Sequence, residues 1–167
     1  MSELYAEAST KKKTTIGVII LKVIAIVTII MIFFASMFIG GAVSRILVML
    51  GGAAVVFLIW YWPRFKVEWE YVFCDGQLDF DMILGGEKRK SILRIELEES
   101  DLVASMKSSR MDGYRHLPKK DFTSLRSEAK VYGIVTKVKD EKVVLLFEPS
   151  DKMLEKMKIK SPDKVEY

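Results

Sequence analysis

Two hydrophobic periodicities divide the chain near residue 63. Before that point apolar residues run on with few interruptions. Val23–Val43 gives 21 uncharged residues in a row and Ile46–Trp62 gives 17. An α-helix rises about 1.5 Å per residue and the bilayer hydrocarbon is about 30 Å thick, so about 20 apolar residues cross it. With Ile16–Leu21 added ahead of Lys22, the pattern predicts a helical hairpin over 16–63, with spans of about 16–43 and 46–62 and a turn at Gly40–Arg45. Pro63 would end the second helix.

From Arg64 onward the period changes to two. Val67, Trp69, Tyr71 and Phe73 alternate with Glu68 and Glu70, and Leu78, Phe80, Met82 and Leu84 alternate with Asp79 and Asp81. The Asp75-Gly76 pair between the two runs is a tight-turn signal, so the pair predicts a β-hairpin with one buried and one wetted face. Gly85-Gly86 predicts a further turn, then a strand within Lys88–Glu98 and a short one over Asp101–Met106. Residues 107–128 predict a long loop with one short strand near Phe122. Ala129–Lys139 and Lys142–Glu148 predict two more strands, and Ser150 caps a helix over 150–160 with Met153, Leu154 and Met157 as its apolar stripe. The expected fold class is α+β: a two-helix transmembrane hairpin, then an antiparallel β domain of six or seven strands over 64–167, closed by a C-terminal helix. Residues 1–15 are expected as a basic tail.

Charge adds an orientation. The net charge is +4, of which residues 1–63 carry +3 and the remainder +1. A near-neutral domain lacks the concentrated positive field that nucleic acid requires, so nucleic acid is not an expected partner. Lys11, Lys12, Lys13 and Lys22 precede or open the first span and Arg64 follows the second, while Arg45 alone lies in the connection. The positive-inside bias puts both termini in the cytoplasm of a two-span cell-membrane protein. Trp60, Tyr61 and Trp62 form an aromatic belt at the inner interface, with Lys22 snorkelling near the same level. A cleaved signal peptide fits poorly, because the apolar run is too long and no A-x-A site follows it.

Ser36, Gly40 and Ser44 recur at spacing four, and Gly51 and Gly52 sit in the second span. Small residues let helices approach closely in lipid. Such a surface either packs the two helices together or joins two copies, and the short connection favours the first.

Candidate chemistry is sparse. One cysteine (Cys74) and one histidine (His116) permit neither an internal disulfide nor a Cys/His zinc cluster. Asp79 and Asp81 share a strand face, which suits acid/base work but also an ordinary solvated face. No G-x-S-x-G elbow and no phosphate loop are present. The remaining leads are basic: Lys88, Arg89 and Lys90 beside a glycine turn, and Lys107, Arg110, Arg115, Lys119 and Lys120 in the long loop. Near a membrane such groups meet anionic headgroups or a protein partner.

The stretches Tyr71–Asp81 (YVFCDGQLDFD), Lys88–Glu96 (KRKSILRIE) and Phe147–Met157 (FEPSDKMLEKM) resemble a family of small membrane proteins from Gram-positive, mainly clostridial, bacteria. The resemblance covers nearly the whole chain. It implies a two-helix anchor and a pleckstrin-homology-like cytoplasmic domain of unknown function. Phosphoinositide-binding members of the wider group carry basic residues around the first strand-to-strand turn. Taken as that turn, Cys74-Asp75-Gly76-Gln77 is acidic, which speaks against such a pocket there.

These readings favour a non-enzymatic, membrane-anchored binding or scaffold module that needs no cofactor. Its expected partners are the bilayer, a protein or a second copy of itself, and anionic headgroups. The other expectation is an accessory or regulatory subunit of a membrane transport or secretion complex, acting through its spans.

Overall fold

The computed structural model describes residues 4–62 and 66–166. Pro63 and Arg64, and with Arg64 one expected interface anchor, lie outside the described residues. The chain divides into two compact units, Thr14–Lys66 and the two segments that flank it, Met1–Lys13 and Val67–Tyr167.

The inner unit is a helical hairpin of α1 (Ile16–Phe38) and α2 (Ala42–Tyr61). Both are long and apolar enough to cross a membrane. The less exposed positions on α1 are Val18, Lys22, Ala25, Ile29, Ile32 and Ser36, and on α2 Ser44, Leu47, Gly51, Ala54 and Leu58. Both sets alternate steps of three and four, the seam of a left-handed helix pair. The second helix starts at Ala42, earlier than the uncharged run suggested. Gly41 makes the turn at φ +79°, and Arg45 rides in the first turn of α2 instead of the connection. Arg45 does not bound the helix, because an exposed arginine in a helix's first turn reaches water.

The outer unit holds eight strands in two sheets of four. The first sheet has the order β1 (Tyr5–Lys11), β2 (Val67–Cys74), β3 (Gln77–Leu84), β4 (Lys88–Glu96), all antiparallel. The expected hairpin closes in register with Cys74 opposite Gln77, and Asp75 and Gly76 both take positive φ, at 44° and 104°. The second sheet runs β5 (Leu102–Ser105), β7 (Tyr132–Val138), β8 (Glu141–Phe147), β6 (Lys119–Asp121). Its β6–β8 pair is parallel, so the sheet is not wholly antiparallel as expected. The helix α3 (Asp151–Lys160) starts where its cap predicts, with the Ser150 hydroxyl accepting from the Met153 amide at 3.3 Å.

The main core joins both sheets: Tyr71, Phe73, Leu78, Phe80, Ile134, Leu145 and Phe147, closed by Met153 and Met157 of α3. Its aromatic centre is tight, with Phe80 within 6 Å of Tyr71, Phe122 and Phe147 centroid to centroid. The other face of the second sheet is covered too. Met111, on a short 3-10 turn over Ser109–Tyr114, packs with Leu102, Ala104, Val135 and Val144. Gly133 leaves the room: a Cβ there would lie 2.5 Å from the Met111 methyl. The long loop is therefore partly a lid on the sheet.

The largest difference from the expectation is β1. Residues expected as a tail form a strand whose every residue pairs with β2, Tyr5 opposite Cys74 through Lys11 opposite Glu68. Ala6 is 1% exposed in the main core, and α3 packs against this strand. The small inward side chains of Ala6 and Ala8 weaken the alternation that marks a strand, and the partner lies beyond both helices. It follows that Ala6→Asp, which buries an unpaired carboxylate, costs about 3–5 kcal/mol. Thermal melting of the detergent-solubilised chain, read by near-ultraviolet dichroism, checks this; a free tail would leave the transition unchanged.

Candidate membrane-facing end of the first sheet

Strand register gathers basic residues that are far apart in sequence. Lys11 lies opposite Glu68, Glu68 opposite Ile83, and Ile83 opposite Arg89. One row further out, Val67 faces Leu84 and Leu84 faces Lys88. The exposed Lys11, Lys12 and Lys13 and the exposed Lys88, Arg89 and Lys90 therefore occupy one end of one sheet. The chain leaves that same end toward α1 and returns from α2. The first strand-to-strand connection is thus the helical hairpin, flanked by lysines. The acidic Cys74–Gln77 turn is the second connection, at the opposite end, so the reading of it as the first turn is corrected.

The six are not equivalent. Arg89 is paired with Asp81 at 2.7 Å and Glu70 at 3.0 Å, and the Asp81 hydrogen bond raises the pKa of its guanidinium. Arg94 grips Asp79 with two nitrogens, at 2.5 and 2.8 Å. Asp79 and Asp81, the paired carboxylates of the sequence, are therefore each bound to an arginine. Among the described residues no group of three His, Cys, Asp or Glu has metal-site geometry. The single histidine, His116, is exposed on the lid over the second sheet.

The other basic candidates do not join this end as one cluster. Arg110 pairs with Glu166 at 3.5 Å and Arg115 with Asp112 at 2.8 Å. Lys107 is exposed after β5, and Lys119 and Lys120 are exposed on β6. These five line the second sheet and its lid. In the hairpin unit, the Lys22 ammonium lies 4.1 Å from the centre of the Trp62 ring, and Phe57 stacks on Tyr61 at 5.6 Å; Trp60 is exposed. Ser44 donates to the Ser36 carbonyl at 2.7 Å, and Gly51 faces Ile32. Those three small residues serve packing within the hairpin. Gly40 and Gly52 face open space.

A polar latch at the same sheet end escaped the sequence reading. The Glu148 carboxylate accepts from Thr10 Oγ1 at 2.8 Å, from the Ser124 amide at 2.6 Å and from Ser124 Oγ at 2.7 Å. The Lys13 amide donates to the Ser124 carbonyl at 2.7 Å and the Lys12 amide to Val67. Tyr71, its phenol pKa pushed up by burial, donates to the Phe122 carbonyl. Segment 122–126 is thereby fastened to β1 at the point where the chain departs. Local sequence carries no signal for this, since the three latch residues come from three distant segments.

With that geometry in hand, the family comparison is direct. A family model described as Bacterial PH-like domain (DUF6106) matches residues 2–167, and the chain belongs to that family. PH-like domains are generally non-catalytic. No curated protein and no solved structure matches the chain.

Hydrogen bonds to a charged acceptor contribute about 1.5–3 kcal/mol each when little water competes. The Glu148→Ala variant removes three such bonds at a half-buried site and is therefore expected to lose at least about 3 kcal/mol in urea unfolding, and the Ser124 and Lys13 amides should gain hydrogen-exchange rate before the core amides do. A uniform rise in exchange across the domain would contradict a local latch.

Proposed function

We propose that this bacterial PH-like family member is a non-enzymatic, membrane-anchored module whose lysine-bearing sheet end rests on the anionic inner leaflet. The observation that carries this is the register. It sets Lys11–Lys13 and Lys88–Lys90 around the two points where the chain passes into and out of its apolar hairpin. Thr14 and Thr15 alone separate Lys13 from the first residue of α1, and a link that short spans about 10 Å at most.

Topology supports the same reading. Strand β1 precedes the two candidate spans and β2 follows them, yet they pair along their whole length. Both flanks of the hairpin must then lie on one side of a bilayer, as two crossings require. The lysines beside the spans favour the cytoplasmic side under the positive-inside bias. Near an anionic surface each exposed lysine contributes about 1 kcal/mol, falling off within a Debye length of about 8–10 Å. Arg89, Arg110 and Arg115 are spent largely on internal carboxylates, so Lys12, Lys13, Lys88 and Lys90 are assigned the headgroup contact. The remaining surface, with Lys107, Lys119 and Lys120, is left facing the cytoplasm for a protein partner.

Reconstituted into nanodiscs containing phosphatidylglycerol, the ε-amino groups of Lys12, Lys13, Lys88 and Lys90 are expected to react with an amine-specific reagent several-fold more slowly than in phosphatidylcholine discs. The difference should shrink as salt is added, while Lys107 and Lys119 react alike in both lipids. Equal rates for all six in the two lipids would refute the assignment.

A further inference from the structure

Leu125 is half exposed, at 50%, and takes φ +60°. The left-handed region is uncommon for a branched side chain and unstrained for glycine. Neighbouring bonds impose the conformation. Thr123 donates both its amide and its hydroxyl to Asp121, at 2.8 and 2.7 Å. The Leu125 amide donates to Thr123 Oγ1 and the Arg126 amide to Ser124 Oγ, both at 3.3 Å. Glu148 holds Ser124 from below. Phe122, Thr123 and Ser124 are buried, and the next residue projects an isobutyl group into solvent beside an exposed arginine.

What gives this tip a partner is its attachment. The Ser124 carbonyl, one residue away, accepts from the Lys13 amide, and Lys13 is three residues from Ile16, where α1 begins. By chain length the tip is within reach of the headgroup layer. Exposed Lys13, bonded through its amide to Ser124, and exposed Arg126, next in sequence, carry the charge that pairs with lipid phosphates. An apolar tip with basic neighbours, on a loop held by side-chain hydrogen bonds, fits the boundary between headgroups and acyl chains. A left-handed φ at a half-exposed leucine points to an external contact.

We propose that Leu125 is a membrane-inserting residue, docking the 122–126 loop into the leaflet from which α1 starts. This rests on the reading that the basic sheet end faces the membrane, and it adds a contact that does not require anionic lipid. The two therefore fail separately.

The test uses the full chain in a Cys74→Ala background, with Leu125→Cys carrying an environment-sensitive nitrobenzoxadiazole label, in nanodiscs of phosphatidylcholine alone. Expected are a blue-shifted emission and strong quenching by lipids bearing a nitroxide high on the acyl chain. The Ile159→Cys label on α3 should show water-like emission. Water-like emission at both positions overturns the insertion while leaving the anionic-lipid protection of the lysines intact. If insertion is seen in neutral lipid but lysine protection fails in anionic lipid, the insertion stands and the charge reading falls. Hydroxyl-radical footprinting of the unsubstituted chain gives the same answer without a label. Leu125 should oxidise several-fold more slowly than the comparably exposed Ile159, and equal oxidation counts against insertion.

Discussion

The structure depends on one pairing across the helical hairpin. Seven residues ahead of the helices form a ladder with the strand that follows them, so the hairpin is an insertion between neighbouring strands of a sheet. Closing a free loop of that length costs on the order of 3–4 kcal/mol beyond a constant. Helical structure in the insert shortens the effective loop, since two antiparallel helices of similar length bring their outer ends together. The seam of Ala25, Ser36, Ser44, Gly51 and Ala54 allows that close approach. The two are coupled as a result: β1 pairs with β2 only if the helical hairpin brings its two ends back together.

The same ladder explains how the charge is arranged. Viewed along the sequence, Lys11–Lys13 and Lys88–Lys90 are separate clusters. The register of β1 through β4 makes them one margin of one sheet, and the Asp75-Gly76 turn becomes the far margin, where Lys160 of α3 meets Asp75 at 3.3 Å. The paired carboxylates are matched by arginines, half-buried Asp79 by Arg94 and buried Asp81 by Arg89. Arginine suits these carboxylates because its planar fork can bind them in parallel. Lysines are left at the margin, each a mobile, strongly hydrated charge.

Local pattern carried most of the elements. The β2–β3 hairpin was legible because large apolar residues alternate cleanly with Glu and Asp around a tight-turn pair. The helix at 151–160 was legible from its serine cap, and the spans from their uncharged length. What the pattern could not carry was pairing at long range. β1 alternates only through Ala6, Ala8 and Thr10, side chains too small to stand out, and its partner lies beyond both helices. The three-residue β6 owes its existence to β8 and has no periodicity of its own. The candidate site was half legible: the lysines could be listed, but their grouping follows from register, and the Thr10–Ser124–Glu148 latch draws on three separate segments. Leu125 reads as an ordinary loop residue until its φ and exposure are known.

The pairing of β1 with β2 is open to direct measurement. In a Cys74→Ala background, Glu7→Cys and Val72→Cys place thiols on cross-strand partners, whose Cβ atoms in an antiparallel pair are about 4.5–5.5 Å apart. A short bis-methanethiosulfonate reagent applied to native membranes should bridge them in high yield. Glu7→Cys with Glu68→Cys, four residues out of register and about 13 Å away, should stay unbridged. Equal bridging of the two pairs, or none of either, would contradict the pairing of β1 with β2.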